Sequence, residues 1–290
     1  MTGRTDMALE AHQRIKDTQI CSGGIESELF EKEGMKISRI KVCSKEGEEA
    51  IGKPRGTYIT LSAREDWQAD SEGIEVAARL LGALLSPLLP REGTILAVGL
   101  GNRYITPDSL GPAAVDKIIV TRHLLSRMPS SFGGMRSVCA VNAGVLGCTG
   151  VETAEIVRGV CDRVHPAAVI AIDALASLST KRLCRTFQIS DTGIVPGAGA
   201  YNARRALDKN TLGVPVIALG VPTVVDADTI VADALKDFPG QVNTSGFPDL
   251  LVTPKDIDAL IEKSAKVLGY GINIALQGNM SITDMEQFLC

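Results

Sequence analysis

Three short runs with almost no polar residues limit the folds open to this chain. They are TILAVGL at 94–100, AVIAI at 168–172 and PVIALGV at 215–221. Each is too short for a helix of its own and rich in branched aliphatic residues. A strand that is apolar at every position, rather than at alternate ones, needs cover on both faces. Around these runs lie stretches with apolar residues at helical spacing, at 72–89, 111–128, 152–164, 225–237 and 254–275. Such alternation predicts an α/β fold, an open, largely parallel twisted sheet with helices on both faces. Composition agrees. Hydrophobic residues make up 45% of the 290-residue chain but aromatics only 4%, so Val, Ile, Leu and Ala must fill the core.

Shorter segments complete the reading. Residues 38–43, 57–61 and 137–141 alternate or run apolar as strands do, and 185–189 reads as an edge strand. The charged, Gly-containing stretch 45–54 reads as a hairpin loop, and 239–247 as a Gly/Pro-rich break. Residues 1–35 are polar and weakly patterned and read as an N-terminal arm. Residues 36–290 then form a single α/β domain, without repeats or a convincing linker.

Several classes of function are disfavoured. A net charge of −4 with no basic block argues against a nucleic-acid partner. No window approaches the roughly 18 apolar residues that span a bilayer, and residues 1–16 lack the apolar stretch of a signal peptide. A cytoplasmic protein without a membrane partner is expected. The seven cysteines are odd in number and include no C-x-x-C pair, so reduced thiols are expected, not a disulfide framework or zinc site. No cofactor or metal is expected.

In open parallel sheets ligands bind beyond the carboxyl ends of the strands. That rule collects Gly101, Asn102 and Asp108 after 94–100, and Asp173 directly after 168–172. It also collects Asp191, Thr192 and Gly193 after 185–189, and Thr223 and Asp226 after 215–221. Asp173 closes a run of six apolar residues, where a charge is costly unless paired or protonated. Asp108 and Asp173 each have a simpler reading as a turn or helix-cap residue. Together they suggest more. Two carboxyls in one cleft disfavour double ionisation, so one holds a proton near neutral pH. One can then activate water while the other donates to a carbonyl or leaving amine.

Other motifs carry less. GLGNRY at 99–104 follows a strand as a dinucleotide loop would, but Tyr104 replaces the third glycine. Gly144, Gly147 and Gly150 suit a tight strand-to-helix connection. Gly193, Gly197 and Gly199, with Arg204 and Arg205 nearby, suit either a substrate loop or a plain surface loop. There is no G-x-S-x-G elbow, and His12, His123 and His165 all fall away from strand ends.

The same loops carry a resemblance. VGLGN (98–102), TPDSLGP (106–112), VTRH (120–123), GCTGVET (147–153), VIAIDALA (169–176), QISDTGI (188–194), TLGVPVIALGVPTVVD (211–226) and LVTPK (251–255) resemble, in order, the germination proteases of spore-forming bacteria. That resemblance implies an atypical aspartic endopeptidase whose proposed catalytic aspartates correspond to Asp108 and Asp173. It also implies small acid-soluble spore proteins as substrate, a spore-core location, a homotetramer and a zymogen that removes its own propeptide. RTDMALE (4–10) is similar to the family's self-cleavage site, which places the cut between Asp6 and Met7 and makes 1–6 the propeptide. The chain is read as shorter than typical members, with 239–247 in place of an insertion.

Three rivals remain. A metal-dependent processing peptidase like the hydrogenase maturation proteases would share this architecture, but no histidine follows His165 to serve as its late ligand. A peptidyl-tRNA hydrolase would share the GLGN opening but needs a loop histidine that is absent here. A non-catalytic binding protein on the same fold would use neither aspartate.

Overall fold

The structure is a computed structural model that describes residues 5–17, 23–197, 204–235, 250–278 and 280–289. In chain order the elements are α1 (Ala8–Asp17), β1 (Ile25–Lys32), β2 (Met35–Val42), α2 (Lys45–Ile51), β3 (Gly56–Ser62) and α3 (Ser71–Leu85). There follow β4 (Ile95–Gly99), α4 (Leu110–Val115), α5 (Arg122–Arg127), α6 (Pro129–Phe132), β5 (Val138–Asn142), α7 (Leu146–Thr149) and α8 (Thr153–Val164). The rest are β6 (Ala168–Ser177), β7 (Thr186–Ser190), α9 (Lys209–Leu212), β8 (Val216–Asp226), α10 (Ala227–Ala234), β9 (Leu251–Val252), α11 (Ile257–Gln277) and α12 (Ile282–Leu289).

One sheet runs in the order β1-β2-β3-β7-β8-β6-β4-β5, with β9 paired to β8. Strands β8, β6, β4 and β5 are mutually parallel, and β7, β3, β2 and β1 extend the sheet antiparallel. The fully apolar runs lie in the parallel half, as two-sided burial requires. In β6, Ala168, Ile170 and Ile172 enter the core shared with α3, α4 and α11. Val169 and Ala171 point the other way, to Ala154, Val157 and Cys161 of α8 and Leu212 of α9. The antiparallel half is covered on that second face by α1, through Ala8 and Ile15 against Ile40, Val42 and Tyr58.

Several local expectations are corrected. The weakly patterned 1–35 contains α1 and β1. Stretch 45–54 is not a hairpin loop but carries α2, where Ser44 caps by accepting from Gly47 N and Gly52 closes the helix at φ 66°. The helix expected over 111–128 is broken into α4 and α5. Between them Thr121 is fully buried, its hydroxyl donating to Arg136 O and accepting from Val138 N, which ties the chain to β5. Strand β7 is not an edge but lies between β3 and β8. The break at 239–247 lies outside the described residues.

The helical glycine Gly159 of α8 meets nothing that a Cβ would touch. Gly159→Ala should therefore stabilise the protein by about 0.5–1 kcal/mol through helix propensity, read as a higher melting temperature.

Candidate active site

Asp108 is positioned by turn chemistry. Pro107 opens a 3-10 turn, Thr106–Asp108, and α4 begins two residues later. Its carboxylate accepts from Asn102 N at 2.7 Å, folding the loop after β4 back on itself. Asp173 sits differently from the sequence expectation. It is not a strand-end or cap residue but lies within β6, which continues to Ser177 by pairing with β8 across an irregularity at Leu175/Ala176. Only 5% of it is exposed, and its carboxylate accepts from Ala174 N at 2.9 Å.

Both aspartates line one cavity of about 780 Å³ on the α8 face of the sheet, past the carboxyl ends of β4 and β5 but over the longer strands β6 and β8. Their electrostatics are coupled. Burial first, then the neighbouring charge of Asp108 and next that of Asp6, hold the Asp173 carboxyl well above the usual range. Burial also raises Asp108, while the Asn102 N–H opposes that rise.

The other sequence candidates divide. Gly101, Thr192, Gly193 and Thr223 line the cavity with the aspartates. Thr223 is fully buried, and its hydroxyl has no partner among the described residues. Asn102, Asp191 and Asp226 are not among the lining residues. Asn102 holds Asp108, Asp191 accepts from Thr57 N at 2.7 Å, and Asp226 ends β8. His165 forms the left-handed C-cap of α8, His123 lies in α5 and His12 is buried in α1. Among the described residues no group of three or more His, Cys, Asp or Glu is arranged to hold a metal ion. No helix there is long and apolar enough to cross a membrane.

The N-terminal segment also reaches this cavity. Asp6 N donates to Ala176 O at 3.2 Å, and the Asp6 carboxylate accepts from Ala176 N at 2.9 Å. Lys53 Nζ donates to Thr5 O at 3.0 Å. Burial holds the Lys53 amine below its usual range, opposed by the charges of Asp6 and Glu10. Met7 is fully buried. Glu10 anchors the segment from α1, accepting from Ser177 Oγ at 2.6 Å and Leu178 N at 2.8 Å. Arg182 Nε lies 3.0 Å from Glu10 as an ion pair, off the line of a hydrogen bond.

Gln188 and Lys53 were not picked out from the sequence as site residues. Gln188 falls in phase with Thr186 and Ser190 on the polar face of an alternating strand, and only the burial of that face distinguishes it. Lys53 follows the helix that the sequence reading took for a loop.

The model of the germination protease family matches residues 3–239. The chain belongs to that family. A germination protease of Caldanaerobacter subterraneus subsp. tengcongensis is 44% identical over 318 positions, covering 99% of this chain and 98% of that relative. The Clostridium tetani germination protease is 39% identical with full coverage of both chains. That of Bacillus cereus is 36% identical, covering 94% of this chain and 93% of the relative. Germination protease alignments of 318 to 342 positions are longer than this 290-residue chain, so gaps fall within it. Among solved structures, a [NiFe] hydrogenase maturation protease from Thermococcus kodakarensis covers 66% of this chain and 99% of its own, at 16% identity and a TM-score of 0.36. A likeness that slight bears no weight on function. Family membership makes the chain a protease of the germination type.

Proposed function

We propose that this chain is an endopeptidase that degrades small acid-soluble spore proteins during germination, through an acid/base pair formed by Asp108 and Asp173. The observation that carries this reading is the shared cavity, in which each carboxyl resists ionisation and the charge of Asp108, after burial, adds to the resistance of Asp173. Such a pair binds one proton in common over a range of pH. Asp173, the more buried, keeps that proton and donates it to the leaving amine. Asp108, whose charged form is favoured by the Asn102 N–H, takes a proton from the attacking water.

The same reading extends to processing and setting. The chain is made as a zymogen and cuts itself between Asp6 and Met7. It works as a homotetramer in the cytoplasm of the spore core, without a metal or cofactor. Residues 1–35, the arm that carries the propeptide, also contribute β1 to the sheet of the peptidase domain formed by 36–290 and α1 to its cover. Placement of Asp6 against β6 in the cavity of the two aspartates supports the cleavage site.

Incubation of the full chain at mildly acidic pH, followed by mass measurement of its N-terminus, tests the reading. Loss of residues 1–6, together with cleavage of a small acid-soluble spore protein that survives exhaustive chelation, is the expected result. Activity lost on chelation and restored by a divalent metal would favour the metal-dependent alternative. An N-terminus that stays intact while no spore protein is cut would sink both.

A further inference from the structure

The backbone around Asp6 is held by one side chain in an unusual way. Gln188 Nε2 donates to the Asp6 carbonyl oxygen at 3.1 Å, and Gln188 Oε1 accepts from Ala8 N at 2.7 Å. Its two partners, an acceptor and a donor, fix which end of the amide is which. The single side chain therefore brackets the peptide bond between Asp6 and Met7. Met7 N, the nitrogen of that bond, donates to Thr5 Oγ1 at 2.9 Å.

Gln188 also stands in register with the carboxyl pair. It pairs with Gly220 of β8, and Gly220 pairs with Asp173 of β6. Residues paired directly across neighbouring strands share a face, so Gln188 and Asp173 project from the same side of the sheet. Two strand spacings, roughly 10 Å, separate them. Gly220 itself has no side chain between them, and the Leu175 side chain lies over it. A Cβ there would fall 2.6 Å from the Leu175 side chain. Gln188 is itself only 8% exposed and lines the cavity with Asp108 and Asp173.

We propose that Gln188 is a catalytic residue that polarises the carbonyl of the bond to be cut and receives the negative charge that develops on its oxygen. This assignment rests on the peptidase reading above. In the step, the oxygen of water bonds to the carbonyl carbon of Asp6 while Asp108 takes a proton from that water. The π pair of the carbonyl moves onto its oxygen, which faces Gln188 Nε2. The intermediate then restores the carbonyl and breaks the bond to the Met7 nitrogen, which leaves as an amine with the proton given by Asp173. One water is consumed, a carboxyl and an amine are formed, and the pair again holds one proton. An external substrate would lay its backbone where residues 5–8 lie. Its carbonyl would meet Nε2, and the N–H two residues on would meet Oε1.

Two substitutions separate polarising from holding. Gln188→Glu keeps the acceptor for Ala8 N and removes the donor to the carbonyl once its carboxyl ionises. Burial and the neighbouring acids shift that ionisation upward, so its rates are followed to alkaline pH. Gln188→Met keeps the length and removes both. Self-cleavage of the full chain is followed by N-terminal mass, and kcat and KM are measured on a small acid-soluble spore protein. Melting temperatures check folding. If Gln188 stabilises the developing charge, both variants lose about 10²–10³-fold in kcat, with KM little changed in Gln188→Glu and raised in Gln188→Met, which also loses the Oε1 contact. The Gln188→Glu deficit relative to wild type then narrows as pH falls and its carboxyl regains a proton to donate. A rise in KM alone, or unchanged rates in folded Gln188→Glu up to alkaline pH, would overturn the assignment while leaving the peptidase reading in place. A wild-type chain that cuts neither itself nor a spore protein would overturn both. Should Gln188→Met not fold, Gln188→Glu decides the outcome by itself.

Discussion

Asp173→Asn should abolish proteolysis and, at the same time, make the protein more stable at neutral pH. Loss of a general acid costs about 10²–10⁴-fold in rate, and Asp108→Asn should cost as much through loss of the base. The stability effect belongs to Asp173 because its carboxyl, buried and facing Asp108 and Asp6, is held well above the usual range of an aspartate. A raised carboxyl binds its proton more tightly in the folded state than in the unfolded one. Its contribution is fully present below about pH 4 and is lost as pH climbs through the raised folded value. Each unit of that rise is worth about 1.4 kcal/mol. An amide at position 173 keeps an oxygen for Ala174 N but has no charge to bury. The melting temperature of Asp173→Asn should therefore exceed that of wild type by a margin that widens from pH 4 to pH 7. Melting curves at the two pH values and cleavage of a spore protein measure both halves. A folded Asp173→Asn variant that still cuts would end the two-aspartate mechanism. One less stable than wild type at pH 7 would show that the native carboxyl is ionised and favourably paired.

The legible part of this fold was the part governed by hydrophobic pattern. Runs apolar at every position marked β4, β6 and β8, because burial on both faces leaves no alternation to blur them. The carboxyl-end rule then led to Asp108 and Asp173 without knowledge of which strands are neighbours. What stayed hidden depended on contacts distant in sequence. Strand β6 runs on past Asp173 because β8 continues beside it, and no local signal in DALAS reveals that partner. Helix α2 is short and polar, held by the Ser44 and Gly52 caps more than by an apolar stripe, so its charges read as a loop. Residues 111–128 have helical spacing throughout. The helix stops at Val115, and the break is held by Asn273 of α11, which donates to Lys117 O and accepts from Ile119 N. Thr121 ties its far side to Arg136 and Val138, and all these contacts are visible only in three dimensions. Gln188 lies within the motif QISDTGI, but its partners are residues of α1 and the segment before it, about 180 positions away.

Gly111→Ala should be among the most damaging single-methyl changes in the protein, although Gly111 is not one of the cavity-lining residues. A Cβ at 111 would lie 2.3 Å from Leu100 O and 2.5 Å from both Ile172 O and Leu100 N. All three are backbone atoms, so no side chain can swing aside. The methyl would wedge apart the 2.8 Å bond from Leu100 N to Ile172 O, which ties the end of β4 to β6. Two relaxations are open. Helix α4 can retreat, carrying Asp108 three residues upstream and loosening its bond from Asn102 N. Alternatively the β6 backbone can shift at Ile172, carrying Asp173 next to it. Either movement pulls on the distance between the two carboxyls. Forced insertion into a packed site costs about 1–3 kcal/mol, and a displacement of about 1 Å in a catalytic group can cost 10²-fold in rate. Gly111→Ala is thus expected to fall by that amount in stability and about 10²-fold in kcat, and Gly159→Ala, carrying the same methyl into open space, should gain stability with activity intact. Denaturant melts and cleavage rates of the two variants side by side make the comparison. Equal behaviour of the pair would mean that the close packing behind Asp108 does not hold the carboxyls in place.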